Sequence, residues 1–191
     1  MTLRPELLRG KRVFLAALDE SDLATASEWT KDSDYLRLYD SRPAAPRTTA
    51  ELGLELREAQ RSQNDFLFGL RLREGDQLIG LVGLDGISWS HGTAFLFIGI
   101  GEARHRGQGY GREAMALLLR FAFDELNLHR LCLTVFSYNV GAIALYESLG
   151  FVREGVYREH LHRDGQRYDM ILYGILRREW QEHDNERLAA P

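Results

Sequence analysis

The sequence contains 191 residues, has a formal net charge of −4, and is 45% hydrophobic and 27% charged. These values are typical of a single soluble globular domain with an ample core. Because the chain is mildly acidic and has no Lys/Arg-rich block, we expect no nucleic acid as its partner.

The sequence carries no signal for a membrane, for secretion or for a disulfide. No apolar run approaches the roughly 20 residues of a membrane span, and residues 1–6 lack the charged-then-apolar pattern of a signal peptide. Cys132 is the only cysteine, so no intramolecular disulfide can form. We therefore expect a cytoplasmic protein with no membrane partner.

Four segments are predicted in the N-terminal third. Apolar alternation indicates a strand, and apolar residues at helical spacing indicate two helices separated by a loop that contains prolines. The predicted segments are a strand over 11–18, a helix over 22–29, a loop over 31–46, and a helix that begins at Thr48 or Thr49 with Glu51 in its first turn.

A β-hairpin is predicted next. Phe66 to Leu72 and Leu78 to Leu84 have strand patterns, and the turn Glu74-Gly75-Asp76 joins them. A further turn over 86–92 leads to an apolar strand from Ala94 to Ile100.

Three glycines mark the beginning of the helix that follows. Gly107, Gly109 and Gly111 lie where the first free backbone N–H groups of an amphipathic helix over 110–123 point outward, so an anion can approach them closely. Arg106 adds a fixed positive charge beside these donors. The segment therefore predicts a pyrophosphate site at a helix N-terminus.

Two common nucleotide-binding motifs do not fit these glycines. Their spacing is G-x-G-x-G, whereas a dinucleotide fingerprint requires G-x-G-x-x-G. The only Gly-Lys pair, at 10–11, is followed by another basic residue and lacks the earlier glycine of a nucleotide-triphosphate loop. The remaining pattern is an arginine, two residues, a glycine, one residue and a glycine, carried by Arg106, Gly109 and Gly111.

A second group of candidate residues lies in the next helix. A strand over 129–136 has apolar residues on both faces, which predicts burial on both sides. Asn139 is placed to cap a helix over 140–149, and at about 100° per residue Asn139, Ala142 and Tyr146 share one face of it. A capping amide, a small residue and a phenol therefore line one groove.

The C-terminal part predicts a second hairpin and then a polar tail. The predicted segments are strands over 151–162 and 166–176, a single domain over 1–180 and a polar C-terminal tail over 181–191. His160 and His162 share one side of a strand, but no third ligand stands at a supporting spacing, so we predict no metal site.

Both groups of residues resemble motifs of the GNAT superfamily of acetyl-CoA-dependent N-acetyltransferases. Arg106 to Gly111 is similar to the first cofactor motif of that family. The string N-x-x-A-x-x-L-Y-x-x-x-G-F from Asn139 to Phe151 is similar to the second. The hairpin over 155–176 further resembles the ribosomal-protein and spermidine N-acetyltransferase branch. The resemblance extends over residues 10–178.

The resemblance implies a single GNAT-like α/β (α+β) domain. Its sheet is expected to be mixed, mostly antiparallel and twisted, with about six to seven strands and helices on both faces. A splay is expected between the strand that ends near Gly101 and the strand that starts near His129.

The resemblance also implies acetyl-CoA as co-substrate. The implied cofactor-binding residues are Ile98, Gly99, Ile100, Arg106, Gly107, Gln108, Gly109, Tyr110, Gly111, Asn139, Ala142 and Tyr146. Backbone groups from Ile98 to Gly101 would hold the pantetheine arm and stabilise the oxyanion. Tyr146 is matched to the general acid that protonates the thiolate.

The acceptor amine must lose a proton before it attacks the thioester. Glu102, directly after the splayed strand, is the first candidate for the catalytic base, with Asp85 and Asp169 behind it. We expect direct transfer in a ternary complex, because no Cys–His or Ser–His pair lies near the groove in sequence. The implied acceptor is a primary amine, either a protein or peptide N-terminus or a polyamine-like small molecule, and the implied assembly is a homodimer.

Each of these residues also has a purely structural explanation. The glycines can form a tight turn without a ligand, Tyr146 can be a packing residue, Asn139 only a cap and Glu102 a surface carboxylate. A non-catalytic acyl-CoA-binding regulator is therefore the alternative function, which the retained Tyr146 disfavours. A nucleic-acid-binding domain is a third possibility, and the charge of the chain disfavours it.

Overall fold

The computed structural model describes residues 6–189, and the surroundings of side chains through residue 183. The strands are β1 (Val13–Ala16), β2 (Phe66–Leu72), β3 (Leu78–Ser88), β4 (Thr93–Ile100), β5 (Arg130–Phe136), β6 (Val152–Arg163) and β7 (Gln166–Leu176). The helices are α1 (Asp22–Trp29), α2 (Ser33–Tyr39), α3 (Thr49–Arg61), α4 (Tyr110–Arg120), α5 (Val140–Glu147) and α6 (Arg177–Ala189). A short 3-10 turn at Ala103–His105 precedes α4, and a π turn at Phe121–Glu125 follows it.

All seven strands form one sheet in the order β1-β2-β3-β4-β5-β7-β6. Neighbouring strands are antiparallel except β4 and β5, which are parallel. The predicted mixed, mostly antiparallel sheet of a single α/β domain is therefore confirmed.

β4 and β5 separate after a short paired stretch. The paired residues are Thr93 with Arg130, Ala94 with Leu131 and Phe95 with Cys132. Beyond Phe95, β4 continues to Ile100 and β5 to Phe136 with no pairing between them. The predicted splay is confirmed, and it leaves the β5-facing edge of β4 open.

Helices cover both faces of the sheet. α4 packs over β1, β3 and β4, and its buried residues Ala114, Leu117 and Leu118 join the larger core. On the other face α1, α2 and α3 surround a smaller core that includes Trp29. α2 packs on β4 near Gly99, but Phe95 on the same strand is 48% exposed.

The beginning of α3 agrees with its sequence. The Thr48 hydroxyl accepts a hydrogen bond from the Glu51 N–H at 3.2 Å, and the Glu51 carboxylate accepts one from the Thr48 N–H at 2.7 Å. This reciprocal capping box satisfies donors that would otherwise be unpaired at the helix N-terminus. Leu52 and Leu56 then face the smaller core, as the apolar spacing predicts.

Two sequence predictions are wrong about local structure. The predicted loop over 31–46 contains α2, because Asp32 caps that helix and the buried Tyr35 anchors it in the smaller core, while the prolines lie beyond its end. The predicted turn over 86–92 begins later, since β3 continues to Ser88 through a bulge.

The predicted C-terminal boundary of the domain falls inside a helix. α6 spans Arg177–Ala189 and so continues across the boundary predicted at residue 180. Residues 1–5 of the predicted domain and residues 190–191 of the predicted tail lie outside the described part of the chain. The domain division itself stays a prediction.

Among the described residues, none of the helices combines the length and the apolar character that a membrane crossing requires. Over the same residues, no three His, Cys, Asp or Glu side chains are grouped as they would be to hold a metal ion.

A buried ion pair joins α1 to the sheet. Asp22, at the start of α1, accepts a hydrogen bond from Arg71 on β2, and the two side chains are 6% and 15% exposed. Asp22 also accepts a hydrogen bond from the Asp19 N–H at 3.1 Å. The other end of α1 carries Trp29, whose ring lies so close to Gly101 that a Cβ there would be 2.2 Å from ring atoms. The pair therefore fixes the first turn of a helix whose other end packs on the residue that follows β4.

Candidate active site

Two adjoining cavities lie along the open edge of β4. The glycine-turn cavity, of about 520 Å³, is lined by Tyr35, Leu38, Tyr39, Ile98, Gly99, Ile100, Arg106, Gly107, Gly109, Gly111, Arg112, Tyr138, Asn139, Val140, Gly141, Ala142 and Leu145. The splay cavity, of about 360 Å³, is lined by Leu38, Tyr39, Asp40, Ser41, Asp85, Phe95, Leu96, Phe97, Ile98, Thr134, Val135, Phe136, Asn139, Ala142, Tyr146 and Met170. Ile98, Asn139 and Ala142 belong to both walls, so the cavities meet between β4 and α5.

The glycine-turn cavity ends at the N-terminus of α4. Gly107 and Gly109 have φ values of 71° and 83°, a conformation that glycine adopts without strain. No side chain caps the helix at Gly109, and the first helical bond runs from the Glu113 N–H to the Gly109 carbonyl at 3.2 Å. The first N–H groups of α4 therefore have no helical acceptor where Gly111 and Arg112 line the cavity. An anion fits this end of the cavity.

Arg106 lines the same cavity, but its guanidinium is already hydrogen-bonded. Its Nε donates to the Ile100 carbonyl at 3.0 Å, and its Nη2 donates to the Gly101 carbonyl. The same Nη2 lies 3.6 Å from a carboxylate oxygen of Asp32. Arg106 thus holds the end of β4 in place. Its predicted contact with a diphosphate stays a prediction.

Arg12 supports the glycine turn from outside the cavity. Its Nη1 donates to the Gln108 carbonyl at 2.9 Å, and its Nε lies 3.2 Å from Glu113. Its guanidinium also lies over the Tyr110 ring, 5.0 Å from the centroid. Gln108 and Tyr110, both predicted to bind the cofactor, do not line this cavity, and their predicted role stays a prediction. No motif marks Arg12, because its role depends on β1 lying beside α4.

The open edge of β4 forms the wall at which the cavities meet. Ile98, Gly99 and Ile100 pair with β3 on one side and with no strand on the other. A Cβ on Gly99 would lie 2.5 Å from the Tyr39 ring, so α2 packs directly on this backbone. Free backbone N–H groups on such an edge can stabilise negative charge on a carbonyl oxygen.

One face of α5 lies opposite this edge, as helical spacing predicts. The Asn139 side-chain oxygen accepts a hydrogen bond from the Ala142 N–H at 3.2 Å, which confirms the predicted cap. Its amide nitrogen donates to the Leu38 carbonyl at 3.3 Å. Asn139 therefore links α5 to α2 across the place where the cavities meet.

Tyr146 brings a buried phenol to the splay cavity. It is only 6% exposed, and its ring packs edge-on against Phe151 with 5.9 Å between the centroids. Burial raises the pKa of Tyr146 to about 12. No hydrogen-bonding group among the described residues offsets that effect. The phenol is therefore protonated at neutral pH, which is the state that a general acid requires.

The segment 37–42, called the strap here, borders the splay cavity and is tied down from the far end of the chain. Arg37 makes two hydrogen bonds of 2.9 Å to the Asp164 carboxylate in the β6–β7 turn. Arg163 donates to the carbonyls of three strap residues at 3.2, 3.2 and 2.9 Å. The Tyr138 hydroxyl donates to the Arg37 carbonyl. Sequence patterns missed these contacts, because the partners are far apart along the chain.

The three candidate bases lie in different places. Glu102 lines neither cavity, and its carboxylate is 2.8 Å from Arg104 Nε. Asp169 accepts a hydrogen bond from the Glu159 N–H at 2.8 Å and lines a separate hollow on the bulge of β6. Of the three, only Asp85 shares the splay cavity with Tyr146.

Comparison with known proteins gives a consistent result. Residues 12–152 match the acetyltransferase (GNAT) domain family. The uncharacterized N-acetyltransferase p20 of Bacillus licheniformis is 32% identical over 180 residues, which are 92% of this chain and 98% of that protein. The SPbeta prophage-derived uncharacterized N-acetyltransferase YokL of Bacillus subtilis is 29% identical over 172 residues, 90% of this chain and 94% of that protein.

A solved structure also resembles this fold closely. The crystal structure of spermidine N-acetyltransferase from Vibrio cholerae in complex with CoA and spermine has a TM-score of 0.80 and 28% identity. The match covers 88% of this chain and 98% of that one.

Proposed function

The chain belongs to the GNAT acetyltransferase family and is an N-acetyltransferase, and we propose that it acetylates a small-molecule primary amine from acetyl-CoA in a ternary complex. The position of Tyr146 supports direct transfer most strongly, because its protonated phenol lies in a cavity that adjoins the open edge of β4. A non-catalytic regulator would have no need of this arrangement, and the relatives described above are named N-acetyltransferases.

We place acetyl-CoA in the glycine-turn cavity, where it supplies the thioester that carries the acetyl group. The side-chain-free turn at Gly107, Gly109 and Gly111 and the unbonded N–H groups of α4 suit its diphosphate. The free edge at Ile98 and Ile100 suits the pantetheine arm, whose amides need backbone partners. The relative crystallised with CoA supports this placement by analogy.

The acceptor enters from the splay cavity, on the other side of the shared wall. The free N–H groups of β4 stabilise the charge that develops on the acetyl oxygen as the amine nitrogen bonds to the acetyl carbon. Tyr146 donates its proton to the sulfur as the carbon–sulfur bond breaks. The surplus proton of the amine passes to water in the splay cavity. Among the relatives, a spermidine N(1)-acetyltransferase of Vibrio cholerae, 38% identical over 99 residues (52% of this chain and 57% of that protein), favours a small-molecule acceptor over a protein N-terminus.

An assay for CoA release tests this function. Purified protein with acetyl-CoA should release CoA when given diamines and polyamines, and more slowly or not at all when given short peptides. Calorimetric titration with CoA alone should show binding. If CoA binds but no amine in the panel accelerates its release from acetyl-CoA, the regulator becomes the better explanation.

Glu102→Gln tests the first candidate base. Because the Glu102 carboxylate is bound to Arg104 and lines neither cavity, we expect kcat to change by no more than about fivefold, which corresponds to an exposed ion pair. A general base contributes roughly 100-fold or more, so a loss of that size would restore Glu102 as the base. Steady-state kinetics with a saturating acceptor measures the difference.

Gly109→Ala tests the glycine turn. A residue with a Cβ in this left-handed conformation is strained by roughly 1–2 kcal/mol, and the added methyl would lie 2.9 Å from Arg12. We expect lower stability and a Kd for CoA raised about tenfold, because a shifted turn moves the N–H groups of α4. Gly155→Ala is the matched control, since nothing lies within 4 Å of that position. Equal CoA affinity in both variants would contradict the placement of the diphosphate.

Two sequence expectations, a cytoplasmic location and a homodimer, stay predictions. Sedimentation of the purified protein with and without CoA would test the assembly.

A further inference from the structure

We propose that Asp65 and Asp85 form an anionic pair that determines acceptor specificity by binding a second positive charge on the acceptor, remote from the nitrogen that is acetylated. The inference rests on the proposed function, because it takes the splay cavity as the acceptor site. The pair selects amines with two cationic groups joined by an apolar chain.

One of the two carboxyl groups lines the splay cavity, and the other lies close to it without lining the cavity. Asp85 lines the cavity at the bulge of β3, and Asp65, just before β2, accepts a hydrogen bond from the Gly86 N–H at 2.8 Å. Burial and then the hydrogen bond to Asp65 raise the pKa of Asp85. No cationic side chain in the described part of the chain contributes to the pKa shift of either group. Because a hydrogen bond between two carboxyl groups requires a shared proton, the pair keeps one negative charge, which no cationic side chain among the described residues offsets.

This pair is unlike many other carboxylates of the chain. Seven of those are matched with an arginine: Asp22, Asp40, Glu55, Glu102, Glu113, Glu154 and Asp164. The pair has no such partner, so a bound cation would pair with its negative charge and favour release of the shared proton.

A second, independent feature marks the same cavity as a ligand site. Tyr146 is more than nine-tenths buried, lines the cavity, and has no hydrogen-bond partner among the described residues. A bound ligand would supply the hydrogen-bond partner that its hydroxyl group lacks among these residues. The cavity thus has a reactive end at Tyr146 and an anionic end at Asp85.

The separation of the two ends predicts the shape of the acceptor. Asp85 pairs with Phe95, which is three residues before Ile98 on β4. Three strand residues span about 10 Å, which is too far for Asp85 to take a proton directly from an amine next to Ile98. Two nitrogens separated by about four methylenes would span this distance, with a hydrogen bond at the far end.

The wall between the two ends suits an alkyl chain. Phe95 and Phe97 both line the cavity on β4, and Phe95 is 48% exposed at the centre of the sheet. Methylene groups lying over these rings would bury apolar surface, whereas a peptide backbone would leave its polar groups unpaired there.

The test compares 1,4-diaminobutane with n-pentylamine, in which a methyl group replaces the second ammonium. Both are titrated into the protein saturated with CoA, and both are assayed as acceptors with acetyl-CoA. Because Asp85 is exposed, we expect the wild-type protein to prefer the diamine by about fivefold in Kd and in KM, as for an exposed ion pair. Asp85→Asn should remove that preference by raising the Kd and KM of the diamine, while those of n-pentylamine stay the same.

Two further variants make the outcome decisive. Asp65→Asn should reduce the preference in part, and Asp124→Asn, which alters an exposed carboxylate in the turn after α4, should leave it intact. A wild-type preference that survives Asp85→Asn overturns the proposal. An equal loss of kcat for both amines in Asp85→Asn also overturns the proposal, because it would indicate that Asp85 acts as a catalytic base. Binding is measured without turnover. If the protein binds the diamine more tightly than n-pentylamine but acetylates neither, the result supports the role of the Asp65–Asp85 pair and contradicts the proposed function.

Discussion

Tyr146→Phe is expected to lower kcat by about 100- to 1,000-fold while the Kd for CoA changes by less than about twofold. The phenol lines the splay cavity, which adjoins the open strand edge, and its raised pKa keeps it protonated at neutral pH. Phenylalanine keeps the ring and its contact with Phe151, so the core around it should be unchanged. The measurement is steady-state CoA release with both substrates saturating, together with calorimetric titration of CoA.

Tyr173→Phe is the matched control for this replacement. Tyr173 on β7 is also buried, at 1% exposed, but its hydroxyl donates to Glu147 at 2.8 Å and it lines neither cavity. Its replacement should cost about 1 kcal/mol of stability through the lost hydrogen bond and leave kcat within about twofold. If Tyr146→Phe slows turnover no more than Tyr173→Phe does, Tyr146 is a packing residue and another group protonates the thiolate.

Asp22→Asn is expected to lower the free energy of unfolding by about 3 kcal/mol, the largest effect on stability that we predict. The replacement keeps the size of the side chain but removes the charge, and it leaves the Arg71 guanidinium, 15% exposed, without its buried partner. We take the low end of the range for broken buried pairs, because Arg71 also donates to the Asp76 carbonyl at 2.8 Å. Urea denaturation followed by circular dichroism measures the change.

Glu20→Gln provides the comparison for this charge removal. Glu20 is 3.6 Å from Arg57, and its side chain is 84% exposed, so the loss of this pair should have no measurable effect on stability. If Asp22→Asn lowers the free energy of unfolding by less than about 1 kcal/mol, the cost of desolvating the pair cancels the attraction between its two charges. In that case Trp29 and the rest of the smaller core would hold α1 unaided.

Local patterns were enough to predict much of the site. Helical spacing placed Asn139, Ala142 and Tyr146 on one face of α5, and all three line the splay cavity. The period of a helix is a local property, so neighbouring residues specify it without knowledge of the fold. The N-terminus of α4 was predictable for the same reason, because its glycines stand directly before the amphipathic pattern.

Other parts of the site could not be predicted. α2 was predicted as a loop because its anchors, Tyr35 and Leu36, are recognisable only once α1, α3 and the sheet surround them. Arg12 reaches the glycine turn, and Arg163 reaches the strap, across more than half of the chain. The proposed role of Glu102 came from its position after β4 alone, and the direction of its side chain toward Arg104 depends on the 3-10 turn that follows.

The sequence by itself determined the order of the elements, the uncapped glycine turn that opens α4 and the face of α5 that carries the phenol, because each depends on residues within a few turns or strands of one another. Only the tertiary structure decided that the two cavities share a wall, that the strap is held by the last hairpin, and that Asp65 and Asp85 lie together without a cation. These features arise where β4 and β5 separate, and the packing of helices on the sheet, rather than any local period, sets what surrounds that opening.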